Sequence, residues 1–219
     1  MRSIRAVPAI LAALLALPAA AGDVKGTVKY AGTPPKLAPF KATRDLNVCG
    51  QEVPNESIEV SNGDLRYVVV QVKGAPKPAP ETITIDQEKC HYIPHVLTAP
   101  AGSTLEILNG DPMLHNIHGR IGTRTLFNVA MPLKGQKIPR PLPTPALVDV
   151  KCDVHSWMQG YVWVTDDPAA VSGKDGSFVI KNVPPGTYTV TAWQEKLGEK
   201  SKQVTVPASG DATVEFSYP

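Results

Sequence analysis

The 219-residue sequence contains 22 prolines, and they divide it into short segments. Proline has no backbone N–H and interrupts both helix interiors and central strands. The segments between the prolines carry alternating, β-branched runs, as in residues 24–30 and 147–152, and we find no long stretch with helical periodicity. A disordered chain would not show such regular strand patterns. The sequence therefore predicts an all-β protein with many turns.

The first 21 residues have the features of a cleavable signal peptide. Arg2 and Arg5 precede a short apolar run at 10–17, and alanines at 19–21 supply small residues for cleavage before Gly22. The apolar run is too short to span a bilayer, and no later stretch of the sequence is apolar enough to do so. We expect a mature protein that is periplasmic or secreted and not membrane-spanning.

Charge excludes one class of partner. The chain has 22 basic and 20 acidic residues, and removing Arg2 and Arg5 leaves 20 of each. A mature chain without net charge lacks the basic footprint of a nucleic-acid-binding protein. It also has little long-range attraction for a strongly charged partner.

The cysteines are Cys49, Cys90 and Cys152, and an odd number in an oxidising compartment leaves one thiol to explain. We assign Cys49 and Cys90 to a disulfide and Cys152 to a functional thiolate. The alternative, in which all three thiols are free and buried, is less compatible with export.

Two segments carry residues that could bind a metal. Residues 113–118 read Met-Leu-His-Asn-Ile-His, and residues 152–158 read Cys-Asp-Val-His-Ser-Trp-Met. The second has Cys-x2-His-x2-Met spacing at a strand end, where a tight loop can direct three side chains to one point. Two imidazoles, a thiolate and a weak thioether are the ligand set of a blue-copper site. Zinc also takes Cys and His, but Met is not among its usual ligands, so Met158 favours copper.

Residues 82–166 resemble a complete small cupredoxin of the amicyanin and plastocyanin type. The resemblance covers Tyr92 and Pro94 before a strand, the Gly-x-x-Leu-x-Ile-x-Asn run at 102–109, and the Cys loop. It also covers the His-Asn pair at 115–116. The resemblance implies a Greek-key β-sandwich that holds one type 1 copper ion and passes single electrons.

The resemblance also assigns roles to individual residues. It implies that Asn116 joins the two ligand segments by hydrogen bonds. In cupredoxins electrons usually leave through the loop His within an apolar patch, which implies a docking patch here. The implied metal ligands are His115, Cys152, His155 and Met158, and the implied patch contains Trp157, Met113 and Leu114.

Three further histidines have no assigned role. His118 lies three residues after His115, so on a strand it points to the opposite face and is not expected to be a ligand. His91 and His95 lie next to the predicted disulfide. A second metal site there is conceivable, but structural or solvent-facing roles are favoured.

The C-terminal part forms a second β unit in this interpretation. Residues 176–190 resemble carboxypeptidase regulatory-like and Cna-B-like domains, which are prealbumin-like β-sandwiches. Their usual first strand is absent near residue 167 but matches Gly-Thr-Val-Lys-Tyr at 26–30. We therefore predict one discontinuous sandwich, 22–80 with 167–219, into which a cupredoxin domain, 81–166, is inserted. In the alternative, the N-terminal part is an extension packed on the cupredoxin.

The sequence thus predicts a non-enzymatic electron carrier for redox proteins such as a cytochrome or an oxidoreductase. A second copper constellation, which a multicopper oxidase or nitrite reductase would need, is not found in the sequence. Two alternatives stay open: a copper-binding or delivery protein, and a cell-envelope module that binds carbohydrate or protein. Trp193 is one candidate for sugar stacking in the last case.

Overall fold

The computed structural model describes residues 21–219, and the chain is almost entirely β-structure. The predicted signal peptide, apart from Ala21, lies outside the described residues. One short helix, α1, spans Leu46–Cys49. The strands are β1 Gly22–Tyr30, β2 Phe40–Lys41, β3 Glu52–Val53, β4 Val60–Ser61, β5 Asp64–Leu65, β6 Val69–Lys73, β7 Thr82–Glu88, β8 His91–Ile93, β9 Val96–Pro100, β10 Ser103–Leu108, β11 His115–Ile121, β12 Arg124–Met131, β13 Lys137–Leu142, β14 Ala146–Lys151, β15 Gln159–Thr165, β16 Ala169–Val171, β17 Ser177–Val183, β18 Gly186–Gln194, β19 Gly198–Val206 and β20 Ala212–Tyr218. The predicted all-β class is confirmed.

The middle of the chain forms a two-layer sandwich. One sheet has the order β13-β10-β7-β8, and the other has the order β12-β11-β14-β15-β9. Alternate residues of each strand enter a common core; on β14 these are Val148 and Val150, followed by Cys152, all buried. The predicted inward face of this segment is confirmed.

A second sandwich combines both ends of the described chain. Its sheets have the orders β17-β1-β5-β4, with β20 added beside β1, and β16-β6-β18-β19. Strand β1 pairs antiparallel with β17 and parallel with β20. Residues from the two ends of the chain therefore share one core, which contains Val24, Val28, Phe178 and Phe216. A discontinuous sandwich with a domain inserted between its strands requires this pairing. The domain boundaries at 80 and 167 stay a prediction.

The predicted strand at 65–72 is interrupted. Strand β5 ends at Leu65, β6 begins at Val69, and Tyr67 between them has a φ of 61°. The interruption has a topological reason, because β5 belongs to one sheet of the second sandwich and β6 to the other. A residue with positive φ lets the chain turn from one layer to the next.

Aromatic side chains join the two sandwiches. Trp163 donates an indole hydrogen bond to Gln71 Oε1 at 3.0 Å, and its ring lies 5.1 Å from that of Trp193. Trp193 also contacts Tyr161 edge-on at 5.6 Å. Trp193, the candidate for sugar stacking, is therefore used largely for packing between the units. Within residues 21–219, no helix has the length and apolar character that a membrane span requires.

Candidate metal centre

Strand pairing brings the two ligand segments together. Strands β11 and β14 are antiparallel neighbours, with His118 opposite Lys151 and Gly119 opposite Val150. The start of β11 therefore lies beside the end of β14, and His115 is brought next to Cys152. Both side chains are buried, with 0% and 3% of their surfaces exposed.

Three of the four proposed ligand side chains converge on one point. His115 Nδ1 and His155 Nδ1 are 3.1 Å apart, and Cys152 Sγ lies 3.7 Å from His155 Nδ1. One ligand atom from each residue lies within 4.8 Å of the corresponding atoms of the other two. Two ring nitrogens and one sulfur directed at a single small space are suited to a metal ion that accepts both soft and borderline ligands.

Asp111 orients the first imidazole. Its carboxylate is hydrogen-bonded to His115 Nε2 at 2.8 Å and accepts the backbone N–H groups of Lys89 and Cys90. Because a carboxylate only accepts, Asp111 holds the Nε2–H group and leaves Nδ1 as the atom that faces the site. Burial lowers the pKa of His115, but the bond to Asp111 and the Cys152 sulfur outweigh it and raise the pKa to about 9, so a metal that binds at Nδ1 would displace a proton.

Asp45 orients the second imidazole in the same way. Asp45 Oδ2 lies 3.0 Å from His155 Nε2, so the Nδ1 atom of this ring also points into the site. The ring of His155 is fully buried. Burial lowers the pKa of His155, and although Asp45 opposes the effect, the pKa stays below its ordinary value. A neutral imidazole is the form that binds metal.

The Cys152 sulfur has hydrogen-bond donors around it. The backbone N–H groups of Asn116 and His155 lie 3.5 Å and 3.4 Å from Sγ. Burial raises the pKa of the Cys152 thiol, but the hydrogen bonds from His115 and from these backbone groups outweigh it and lower the pKa. The thiolate is the form that acts as a metal ligand.

Asn116 connects the two ligand segments. Its Oδ1 accepts the backbone N–H of Asp153, and its Nδ2 donates to Asp153 Oδ2 at 3.1 Å and Asn128 Oδ1 at 2.6 Å. These are hydrogen bonds of the kind that the cupredoxin resemblance implies. They hold the loop after β14 against the start of β11, and their effect on a bound metal stays a prediction.

Met158 and Trp157 complete the loop. The Met158 N–H donates to the His155 carbonyl at 2.9 Å, and its side chain is buried in the same core as Cys152. The Trp157 ring lies 5.1 Å from the His155 ring, and its indole N–H donates to the Cys90 carbonyl at 3.2 Å. Trp157 therefore shields the site and ties the loop to the disulfide region.

The expected docking patch exposes less apolar surface than the sequence implies. Leu114 is 44% exposed, whereas Trp157 is 8% exposed and Met113 is only partly exposed. Residues 40–53, which we call the cover segment, contain β2, α1 and β3. This segment brings Asp45 onto the outer edge of His155, the edge through which electrons were expected to leave.

The other histidines lie outside this cluster. His118 is hydrogen-bonded to Asp153 and Thr125, so it supports the ligand loop from the other side of β11. His95 is buried between the Gln159 carbonyl and Glu195. His91 is hydrogen-bonded to Glu56 at 3.1 Å. His91 and His95 both line a cleft of about 260 Å³ between the two sandwiches.

Sequence reasoning missed both carboxylates that hold the imidazoles. Asp111 could have been found, since it lies four residues before His115 and a carboxylate commonly orients a ligand His. Asp45 gave no such signal. It lies 110 positions from His155, in a part of the chain where the sequence indicates only the disulfide cysteine Cys49.

We expect Asp111→Asn to weaken Cu(II) binding by roughly 10- to 100-fold, because the variant loses the charged acceptor that holds His115. A competition titration with a chelator of known affinity measures the change. Asp86→Asn is the matched control, since Asp86 also accepts two backbone N–H groups but touches no proposed ligand. Equal losses in both variants would contradict a specific role of Asp111.

Solved structures that resemble this chain include copper proteins, over part of its length. A purple cupredoxin from Nitrosopumilus maritimus is 26% identical, with 37% of this chain and 98% of that chain aligned and a TM-score of 0.33. Amicyanin from Paracoccus versutus is 25% identical over 44% of this chain and 97% of its own, with a TM-score of 0.36. A copper-containing nitrite reductase from Thermus scotoductus SA-01 is 17% identical over 63% of this chain and 28% of its own, with a TM-score of 0.34.

One family model matches the C-terminal part. Residues 168–214 match domain II of polysaccharide lyase family 4. This match covers strands of the second sandwich only, and it is to a different family from the carboxypeptidase regulatory-like domains that the sequence resembles. No curated protein matches the chain.

Proposed function

We propose that this protein is an exported type 1 copper protein that transfers single electrons between redox proteins and does not itself catalyse a reaction. The observation that carries the proposal is the convergence of one thiol and two imidazoles, all buried, within 4.8 Å of one another. Copper would supply the one-electron couple. The proposed ligands are His115, Cys152, His155 and Met158.

The donor set fits copper better than the alternatives. Thiolate and thioether are soft donors that suit Cu(I), and imidazole suits both oxidation states. The two carboxylates fix the rings, and the backbone N–H groups fix the sulfur, so the site needs little rearrangement when its charge changes by one. Such a preorganised site favours rapid electron exchange.

Titration of the metal-free, disulfide-bonded protein with Cu(II) tests the proposal. We expect an intense visible absorption from the thiolate–copper bond that saturates at one copper per chain. Zinc added first should suppress the colour by occupying the same ligands. A colourless protein after addition of Cu(II), with the fold intact by circular dichroism, would overturn the proposal.

Met158→Leu tests the fourth ligand. An axial thioether tunes the potential of such a site. Replacing it with an apolar side chain removes a donor and makes the site more apolar, and both changes disfavour Cu(II), the more highly charged ion. We expect the reduction potential to rise by about 59 mV or more, a tenfold change in the one-electron equilibrium. Redox titration followed by the visible band measures it. Met131→Leu is the control, because Met131 is as buried as Met158 but is not a proposed ligand. Its sulfur instead accepts a hydrogen bond from Gln87. An unchanged potential in Met158→Leu would remove Met158 from the ligand set.

The partner would have to approach through the cover segment. His155 is fully buried and its Nε2 is bound to Asp45, so no partner reaches this ring directly. We place the contact on Leu114 and the outer side of the cover segment, where Phe40 and Leu46 are also exposed. An apolar contact fits a redox partner such as a cytochrome, because the mature chain has no net charge to steer a charged one.

A further inference from the structure

The disulfide lies directly against the proposed copper site. The bridge joins Cys49 of the cover segment to Cys90, with a Cα–Cα distance of 5.1 Å. Both sulfurs lie within 4.8 Å of a ring nitrogen of His155. Cys90 Sγ also lies within 4.8 Å of a ring nitrogen of His115 and an oxygen of Asp111. The bridge therefore lies close to a ring nitrogen of each proposed ligand imidazole, which a link between the cover segment and the β7–β8 turn does not by itself require.

The surroundings of the bridge contain a further sulfur. Met113 Sδ lies 4.0 Å from Cys90 Sγ. Two thiols, one thioether and an imidazole form a softer donor set than the His115–Cys152–His155 group. Such a set selects Cu(I) over Cu(II) and over harder ions.

We propose that Cys49 and Cys90, once their disulfide is reduced, form with His155 an alternative copper site that is specific for Cu(I) and that shares this imidazole with the type 1 site. The site exists only in the dithiol state, because a disulfide sulfur carries no charge and is a poor ligand. The proposal goes beyond electron transfer: the chain would change from an electron carrier to a Cu(I)-retaining protein when thiol reductants are present.

The redox step is a thiol–disulfide exchange with a dithiol reductant. A thiolate of the reductant attacks one sulfur of the bridge and forms a mixed disulfide, and its second thiolate then displaces the chain's sulfur. The chain gains two thiols, which is a gain of two electrons and two protons. The reductant ends as a disulfide, so atoms and electrons balance without copper.

The cover segment allows the bridge to open. Leu46 is 50% exposed, and α1 is only four residues long, between Asp45 with φ 53° and Gly50 with φ 75°. Apart from the disulfide, this segment is tied to the rest of the chain by the Asp45–His155 hydrogen bond and by the packing of Ala42, Val48 and Val53 against the core. The strand pair β2–β3 lies within the segment itself and does not anchor it. Local opening of the segment breaks only these contacts, so it costs less than unfolding the whole sandwich and can admit a reductant.

Cu(I) binding to Cys152→Ser protein tests the proposal without the type 1 site. The metal-free variant is prepared in disulfide form and, after treatment with a dithiol that is then removed without oxygen, in dithiol form. A chromophoric Cu(I) chelator competes for the metal in each. We expect the dithiol form to retain one Cu(I) per chain with an affinity at least about tenfold higher than that of the disulfide form.

Cys49→Ala/Cys90→Ala/Cys152→Ser is the matched control and should bind Cu(I) no better after thiol treatment than before.

X-ray absorption on the Cu(I)-loaded wild-type protein gives a second readout if a variant misfolds. The dithiol form should show more sulfur around copper than the disulfide form. Equal affinity of the two Cys152→Ser forms, or equal sulfur content, would overturn the proposal. Failure of the blue Cu(II) site would leave these results unchanged, so the two proposals can be separated.

Discussion

Cys152→Ser is expected to abolish the visible absorption of the Cu(II)-loaded protein and to weaken Cu(II) binding by at least about 100-fold. The colour of a type 1 site comes from the bond between the thiolate and copper. A serine hydroxyl at the same position stays protonated and cannot replace the thiolate. Absorption spectra at equal copper loading, together with a competition titration, measure both effects.

The serine variant should otherwise keep its fold. Its hydroxyl can accept the backbone N–H groups of Asn116 and His155 that the sulfur accepts. Near-ultraviolet circular dichroism checks that Trp157 and the core around it are unchanged. Blue colour that persists in this variant would contradict the assignment of Cys152 as a ligand.

Cys49→Ala/Cys90→Ala identifies which sulfur produces the colour. This variant should keep the blue band, because both altered residues are in the disulfide and not in the Cu(II) ligand set. It should be less stable by about 4 kcal/mol, since the bridge closes a loop of 41 residues. Loss of the band here with an intact fold would mean that the disulfide sulfurs take part in Cu(II) binding.

The proposed ligand loop can be located in the sequence because its information is local. Cys152, His155 and Met158 lie within seven residues, and the alternation of Val148 and Val150 already places the Cys on the inner face. The disulfide prediction needs only the odd number of cysteines and the predicted export.

The strands between 115 and 142 could not be read in the same way. Strand β11 buries Asn116 and His118, which break the expected apolar pattern because they hydrogen-bond to the ligand loop. Strand β13 contains Pro139 and Pro141, and because proline is depleted in strands, the sequence pattern does not indicate a strand here. The structure places β13 at the edge of its sheet, where proline is tolerated.

The cover segment escaped prediction for a different reason. The disulfide that ties this segment to Cys90 is predicted, but its contact with the site also depends on one hydrogen bond between residues 110 positions apart and on the packing of Val53 in the core. Neither periodicity nor spacing encodes these two contacts. The consequence is functional, because a sequence that resembles an open cupredoxin folds into a protein whose loop histidine is covered.

The second large effect is expected at Gly26, where the two ends of the chain meet. A Cβ atom at this position would lie 1.8 Å from the Val214 carbonyl oxygen and 2.7 Å from Phe178 Cζ. Strand β1 would have to separate from β20 to relieve the contact. We expect Gly26→Ala to lower the free energy of unfolding by about 3 kcal/mol or more. The Val214 carbonyl belongs to the backbone, so it cannot rotate away as a side chain could.

The predicted discontinuous domain also specifies which of the two sandwiches should lose stability in this variant. If residues 22–80 and 167–219 form one unit, Gly26→Ala should move the unfolding of that unit to lower denaturant concentration. The blue absorption would report on the copper-binding sandwich and would persist at denaturant concentrations above the first unfolding transition. Gly122→Ala is the control: its φ is 58° but no atom lies within 4 Å, so only a backbone cost of about 1 kcal/mol is expected. A single transition that destroys fold and colour together in Gly26→Ala would show that the two sandwiches unfold as one, because the aromatic contact between them couples their cores.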